Sequence, residues 1–161
     1  MAIEKVRRSS LPVIIELCTK TQEWKILAEC IKTSAHKEIE AISHYDTEKA
    51  AQGLSRKYPV EAAKIYRALG LRIVKAKKSK YYGIAIEHLL KAKKLYEENN
   101  CREEWSSLVE NIRRDHHRKY SFIGDFEKIV SGKPPEYLES FEERTRKRWA
   151  EQIADKKKLH K

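Results

Sequence analysis

Apolar side chains recur at intervals of three and four residues along most of this chain. This spacing places them on one face of an α-helix, because a helix turns once every 3.6 residues. Alternating apolar and polar positions, which would indicate a β-strand, form no convincing segment. The pattern therefore predicts an all-α protein of about seven or eight helices. The clearest stripe is formed by Ala62, Tyr66, Leu69, Ile73 and Ala76.

Several residue types predict where helices begin and end. Pro59, followed by Glu61, is typical of a first helical turn. A helix is expected to end at Asn99 and Asn100 and another at Gly132. Residues 12–32 are expected to form either one long helix or two short ones, the second capped by Thr21. A helix break is expected at the Asp46–Thr47 step.

The apolar stripes also predict which side chains face the core in the first third of the chain. Ile14, Leu17 and Cys18 fall on one helical face. Farther along, Ile39, Ile42 and Tyr45 share a face, which Ala50 and Leu54 continue. Trp24, Leu27 and Ile31 form a third stripe.

Two consecutive helices carry a pattern that resembles the tetratricopeptide repeat. In that pattern small residues allow two antiparallel helices to approach closely, and large residues fill the space between them. The resemblance predicts helical hairpins stacked side by side as a right-handed superhelix. The residues that carry it are Tyr66, Leu69, Gly70 and Ile73 in the first helix and Tyr82, Ala85, Leu89 and Ala92 in the second.

Residues 58–132 also resemble the C-terminal helical region of bacterial and archaeal SWIM zinc-finger proteins and related uncharacterised proteins. The resemblance implies a tetratricopeptide-like fold of unassigned function. It does not extend to the zinc finger, because the chain has no C-x-C followed by C-x-H. The matching positions in its last segment are Glu104, Trp105, Ile112, Arg113, His116, Arg118 and Lys119.

A change in composition at the Pro134-Pro135 pair divides the chain into two parts. Residues 1–133 are expected to form the helical repeat domain. Residues 134–161 are expected to form a charged C-terminal helix or tail, since their apolar positions are sparse.

The net charge of +11 is concentrated in the middle of the chain, where residues 61–120 hold 15 Lys and Arg against 8 Asp and Glu. Basic side chains beside aromatic ones are typical of surfaces that hold a phosphate backbone and stack bases. Nucleic-acid binding is therefore an alternative function. Its candidate residues are Lys75, Lys77, Lys78 and Lys80, before Tyr81 and Tyr82, and Arg113, Arg114, Arg118 and Lys119, before Tyr120.

Candidate chemistry is sparse, and no catalytic, cofactor or metal site is predicted. Adjacent histidines on a helix point about 100° apart, so His116 and His117 do not jointly ligate one ion and instead suit a helix C-terminus. His88 is expected to be a half-buried packing residue. The cysteines Cys18, Cys30 and Cys101 lack pairing motifs and are expected to pack as small apolar side chains.

These observations favour a non-enzymatic scaffold that binds another protein through the groove of its hairpins. Candidate groove residues are Lys64, Arg67 and Lys75. The alternatives are a basic nucleic-acid-binding module and an enzyme built around His88 or His116, which would require a pocket with perturbed titratable groups. No small-molecule substrate is expected. No apolar run approaches the length of a membrane span, so a cytoplasmic location without membrane contact is expected.

Overall fold

A computed structural model describes residues 10–135 of the chain. This part contains eight α-helices, one 3₁₀ turn and no β-strand, so the predicted all-α class is confirmed for it. The helices are α1 (Leu11–Thr21), α2 (Trp24–Thr33), α3 (His36–Glu40), α4 (His44–Leu54), α5 (Pro59–Lys75), α6 (Tyr82–Glu98), α7 (Arg102–His116) and α8 (Tyr120–Val130). The 3₁₀ turn, Ser79–Tyr81, directly precedes α6.

Left-handed residues follow the ends of four helices. Gln22 follows α1, Lys77 follows α5, Asn100 follows α6 and Gly132 follows α8, with φ angles of 59°, 56°, 58° and 74°. A left-handed residue reverses the chain direction and lets its neighbours hydrogen-bond to the last helical carbonyls. The predicted helix ends at Asn99–Asn100 and Gly132 are confirmed, as is the predicted start of α5 at Pro59.

Helix α5 forms the centre of the core. Between Ala62 and Leu71 every residue except Lys64 is buried. The helix contacts α2, α3 and α4 on one side and α6 on the other. This arrangement explains the unusual burial of α5, because an ordinary surface helix buries a single apolar stripe.

The most extensive helix–helix contact joins α5 to α6. The side chains of Ala85, Leu89 and Ala92 are fully buried there, and Gly70 is buried opposite them. Small residues at these positions let the two antiparallel helices approach closely. The predicted hairpin and its packing residues are therefore present.

Aromatic side chains from α6, α7 and α8 form the second part of the core. The ring centroids of Tyr82 and Phe122 lie 5.6 Å apart, and those of Phe122 and Phe126 lie 5.7 Å apart. Trp105 on α7 packs against Phe126 at 6.1 Å. Such ring pairs contribute about 0.5–1.5 kcal/mol each beyond the area that they bury.

Several sequence predictions for the first third of the chain are wrong. Asp46 and Thr47 do not break a helix but lie in the first turn of α4, where the Thr47 hydroxyl donates to the Ser43 carbonyl at 2.9 Å. Of the two alternatives for residues 12–32, two short helices are present, but Thr21 ends α1 and Glu23 precedes α2. The chain instead breaks at Gln22, between α1 and α2, and at residues 41–43, between α3 and α4.

Three side chains assigned to the apolar stripes face solvent instead: Leu17, Tyr45 and Ala76, which lies just beyond the end of α5. Leu17 is 45% exposed, and Ile15 occupies the buried position on α1. Tyr45 is 65% exposed, and its ring lies against the Lys49 amine. Cys18 is buried in the core. Cys30 and Cys101 are partly buried and pack against the core, so all three cysteines pack as small apolar side chains, as predicted.

The predicted tail, residues 134–161, lies outside the described residues apart from Pro134 and Pro135. Among the described helices, none combines the length and apolar character needed to cross a lipid bilayer.

Candidate functional site

A pocket of about 200 Å³ opens between α3, α5 and α7. Helix α7 contributes side chains from its last turns, between residues 111 and 116. From α3 and α5 the lining residues are His36, Lys37, Glu40, Arg67, Leu71 and Lys75. The pocket therefore joins three elements that are widely separated in sequence, and most of its lining is polar or charged.

Arg67 is a buried cation on this pocket, with only 8% of its surface exposed. Its Nε atom is buried without a hydrogen-bond partner. Within the described residues no carboxylate forms an ion pair with its guanidinium. On the side of α6 the guanidinium makes a side-chain hydrogen bond with Tyr96, which carries no charge to compensate it. Burial raises the pKa of Tyr96 to about 12, and the positive charge of Arg67 acts in the opposite direction.

Two histidines approach the pocket from opposite walls. His36 is the first residue of α3, and His116 is the last residue of α7. In both rings the Nδ1 atom is buried without a hydrogen-bond partner. Burial lowers the pKa of His36 to about 4, and the charges of Arg67 and Lys64 act in the same direction. Burial also lowers the pKa of His116. Both imidazoles are therefore neutral at pH 7.

The two acidic side chains of the pocket are already paired. Glu40 forms an ion pair with Lys75, which links α3 to α5. Asp115 accepts a hydrogen bond from its neighbour Arg114, with 2.9 Å between Nε and Oδ1. The cations of the pocket outside these pairs are the buried Arg67 and the exposed Lys37.

The structure brings two of the three candidate partner-binding residues together. Arg67 and Lys75 both line the pocket, one buried and one exposed. Lys64 points elsewhere: its Nζ donates to the carbonyls of Ile31 at 2.9 Å, Lys32 at 3.2 Å and Ser34. It therefore satisfies carbonyls at the C-terminus of α2, and burial lowers its pKa.

Other basic side chains have the same capping role. Arg72 donates to the carbonyl of Ile42, just beyond α3, and Lys93 donates to that of Ile129 at 2.9 Å, near the end of α8. A cation is favourable at a helix C-terminus because the helix dipole is negative there. Some of the basic side chains thus stabilise helix ends within the fold. The sequence does not reveal this role, since the donors and carbonyls are some 30 or more residues apart.

The residues predicted for nucleic-acid binding divide into two groups. Lys75, Arg113 and Arg114 make intramolecular contacts, and Lys75 pairs with Glu40. The Arg113 guanidinium donates twice to Glu127, with both distances 2.7 Å, and Arg114 pairs with Asp115. The remaining members lie in two connections: Lys77, Lys78 and Lys80 between α5 and α6, and Arg118 and Lys119 between α7 and α8.

These two connections lie at the same end of the molecule. The contact between Tyr82, at the start of α6, and Phe122, in the first turn of α8, brings them together. Tyr81 is 39% exposed and Tyr120 is 81% exposed at the same end. We refer to Lys77, Lys78, Lys80, Arg118, Lys119 and these two tyrosines as the basic end.

The remaining histidine candidates have ordinary surroundings. His88 is buried rather than half-buried, and its ring stacks on that of Tyr66 at 6.0 Å in the α5–α6 interface. His117 is exposed at the end of α7, with Nδ1 3.1 Å from the Arg114 carbonyl oxygen. Across residues 10–135 no group of three or more His, Cys, Asp or Glu side chains is arranged to hold a metal ion.

The pocket was not identified as such from the sequence. Its lining residues come from three segments that are far apart in sequence, and no spacing within any one of them indicates a shared pocket. Comparison with protein-family models, with curated proteins and with solved structures gave no match.

Proposed function

We propose that this protein is a non-enzymatic helical-repeat scaffold that binds a segment of another protein in the pocket between α3, α5 and α7. The observation that carries the proposal is that Arg67 and Lys75, from the central helix, line a polar pocket together with residues of α3 and α7. A pocket formed by several helices of a repeat fold offers an extended partner more than one contact.

The close α5–α6 hairpin supports the tetratricopeptide-like part of the proposal. Its contact residues are those of the repeat pattern, including Gly70, Ala85, Leu89 and Ala92. Stacking of such hairpins in a right-handed superhelix would place α3, α5 and α7 along one concave surface. We propose this superhelical stacking for the chain. We also propose that residues 58–132 are related to the helical region of SWIM zinc-finger proteins.

The character of the pocket favours binding over catalysis. The enzyme alternative required a pocket with perturbed titratable groups, and His36 and His116 meet that requirement. However, an imidazole with a pKa of about 4 is a weak general base at neutral pH. No hydroxyl or thiol side chain is among the residues that line the pocket.

Affinity capture from a native lysate, with and without nuclease, tests the proposal. The pocket variant is Lys37→Glu, which reverses the charge of an exposed side chain that lines the pocket. The matched control is Lys57→Glu, at an exposed position after α4. We expect the wild type and the control to capture protein partners in the presence of nuclease. The pocket variant should lose these partners. Capture that is equal in all three proteins would contradict the proposal.

A second candidate function, nucleic-acid binding, is favoured by the basic end. There the Tyr82–Phe122 contact brings two basic connections and two exposed tyrosines together. Fluorescence anisotropy with a labelled single-stranded oligonucleotide over a salt series tests it. Replacement of Lys77, Lys78 and Lys80 by Gln should reduce the slope of log K against log salt by about 2, since each contacted phosphate contributes roughly 0.7. Absence of binding at low salt would dispose of this candidate.

A further inference from the structure

Arg67 carries a buried positive charge for which the described residues provide no counter-charge. Its side chain is more than nine-tenths buried, and its Nε lacks a hydrogen-bond partner. Glu104 on α7 affects the nearby Lys64 and Tyr96 but forms no ion pair with Arg67. Removing an ion from water costs several kcal/mol unless a partner compensates for it. An arrangement of this kind is typical of a site whose counter-charge arrives with a ligand.

We infer that the pocket between α3, α5 and α7 binds a carboxylate group, with the Arg67 guanidinium as its charged anchor and the His36 and His116 imidazoles as hydrogen-bonding groups beside it. The inference rests on the proposed function in one respect: it takes this pocket to be the surface that the partner occupies. The ligand is then an acidic side chain or a chain terminus, and a small free carboxylic acid would offer the same chemistry.

The geometry of the donors supports an oxyanion. A guanidinium presents planar N–H groups that match the two oxygens of a carboxylate. A neutral imidazole donates through one ring nitrogen, and the Nδ1 atoms of His36 and His116 are buried without a partner among the described residues. Side chains with donor groups from α5, α3 and α7 thus line one volume of about 200 Å³.

The balance of charge favours a carboxylate over a phosphate. Glu40 and Asp115 also line the pocket, and their charges are matched by Lys75 and Arg114. Of the two cations outside these pairs, Lys37 is exposed to solvent and only Arg67 is buried. The buried charge left to be compensated is therefore a single one, and a carboxylate carries one negative charge. A dianionic phosphate would exceed this charge and would meet the two acidic side chains at close range.

Occupation of the site should also alter the protonation of the histidines. His36 faces the positive charges of Arg67 and Lys64, and His116 faces Lys75, Lys119, Asp115 and Glu40. A bound anion offsets the nearby cations and favours imidazolium formation. Carboxylate binding should therefore raise the pKa of both rings and become stronger as the pH falls.

NMR of the histidine rings in the full chain tests the inference, with sodium acetate titrated against sodium chloride at constant ionic strength. We expect saturable shifts of the His36 and His116 resonances with acetate, with a dissociation constant on the order of millimolar for so small a ligand. The His117 and His88 resonances serve as internal references. Equal shifts with chloride, or no saturable shift, would overturn the inference even without a variant.

Three further anions define the ligand. Inorganic phosphate at the same ionic strength should bind more weakly than acetate, and tenfold tighter phosphate binding would overturn the carboxylate assignment. An Ala-Glu-Ala peptide blocked at both ends and N-acetyl-trialanine with a free C-terminus compare a side-chain carboxylate with a terminal one. Binding of either peptide at least tenfold tighter than acetate indicates a peptide source, and acetate binding without this gain indicates a small free acid.

Variants at Arg67 separate the anchor from general effects. Arg67→Gln should weaken acetate binding at least tenfold, while Arg56→Gln, at an exposed position outside the pocket, should not change it. If Arg67→Gln fails to fold, Arg67→Lys keeps the charge but not the planar donors, and it should weaken binding several-fold. Unchanged binding in a folded Arg67 variant would overturn the role of this residue.

The outcomes also distinguish this inference from the proposed function. Lysate capture that depends on Lys37, in the absence of any acetate response, would refute the carboxylate site alone. Acetate binding that depends on Arg67, in the absence of any captured protein, would refute the protein-binding scaffold and leave a site for a small carboxylate.

Discussion

Gly70 on α5 lies directly against Leu89 on α6. A Cβ atom placed on Gly70 would be 2.8 Å from Leu89 Cγ and 3.1 Å from the Ala85 carbonyl oxygen. Real Cβ atoms do not approach other atoms to 2.8 Å, so this position requires the absence of a side chain. The contact sets the spacing of the hairpin whose first helix supplies Arg67 and Lys75 to the pocket.

Gly70→Ala should therefore destabilise the protein. We expect a loss of about 1–3 kcal/mol in the free energy of unfolding, because Leu89 and the α6 backbone must move to accommodate the added methyl group. The matched control is Gly124→Ala, at an exposed position of α8 where a Cβ would meet no atom within 4 Å. There the gain in helix propensity should stabilise the protein by about 0.5–1 kcal/mol. Urea denaturation measures both changes. If Gly70→Ala raised the free energy of unfolding as much as Gly124→Ala, the close contact would be contradicted.

Lys64→Met should destabilise the protein through the end of α2. The substitution keeps much of the apolar stem but leaves the carbonyls of Ile31 and Ser34 without their charged donor. A loss of about 1–3 kcal/mol is expected from urea denaturation. Lys32→Met, at an exposed position near the same helix end, should change stability by less than about 0.5 kcal/mol. Partner capture should survive Lys64→Met in conditions where the variant is folded.

The stability of the protein should fall as the pH drops from about 6.5 toward 4. The pKa of His36 is about 4 in the folded chain and 6.5 for the unperturbed side chain, so in this range the unfolded state binds a proton that the folded state does not. The lowered pKa of His116 has the same sign. Each histidine contributes at most about 1.4 kcal/mol per pH unit.

Urea denaturation at pH 7, 6 and 5 measures this dependence. Carboxylates such as Glu127, whose pKa the Arg113 hydrogen bond lowers, also reduce stability in acid. The informative quantity is therefore the difference between the wild type and His36→Gln. The variant should lose less stability on acidification than the wild type, and parallel pH profiles would show that His36 does not carry the effect.

The Arg113–Glu127 pair should contribute little to stability, and its contribution should depend on salt. It joins α7 to α8 through two 2.7 Å hydrogen bonds, but both side chains are substantially exposed. A double-mutant cycle with Arg113→Gln and Glu127→Gln should give a coupling energy of about 0.5–1 kcal/mol at low salt, which decreases at 1 M NaCl. A coupling energy that 1 M NaCl leaves unchanged would contradict an exposed pair. Arg113→Gln should not reduce oligonucleotide binding, because this guanidinium is engaged within the chain.

Helix positions and the α5–α6 hairpin were predictable because they depend on local spacing. The stripe of Tyr66, Leu69 and Gly70 and the start at Pro59 follow from side chains within two turns of one another. Errors occurred where local signals were ambiguous. Asp46 and Thr47 are as favourable in the first turn of a helix as in a break, and Leu17 competes with its apolar neighbour Ile15 for the buried position on α1.

The pocket could be predicted only in part. Arg67 and Lys75 were identified as groove residues because they flank the packing stripe of one helix. The contributions of α3 and α7 depend on how hairpins stack, which no spacing in the chain encodes directly. The helix ends at Gln22 and Lys77 were missed for a related reason, since their left-handed conformations are imposed by the surrounding packing and not favoured by the residue type.

Site-specific photo-crosslinking in the native lysate tests the central claim most directly. A photoreactive amino acid is placed at one of three exposed positions: Lys37 on the pocket, Lys77 at the basic end, or Lys20 on α1. The account predicts discrete, nuclease-resistant crosslinks to protein from position 37, with none above background from position 20. Crosslinks that arise only from position 77, disappear with nuclease, or are the same at all three positions would contradict a partner-binding pocket between α3, α5 and α7.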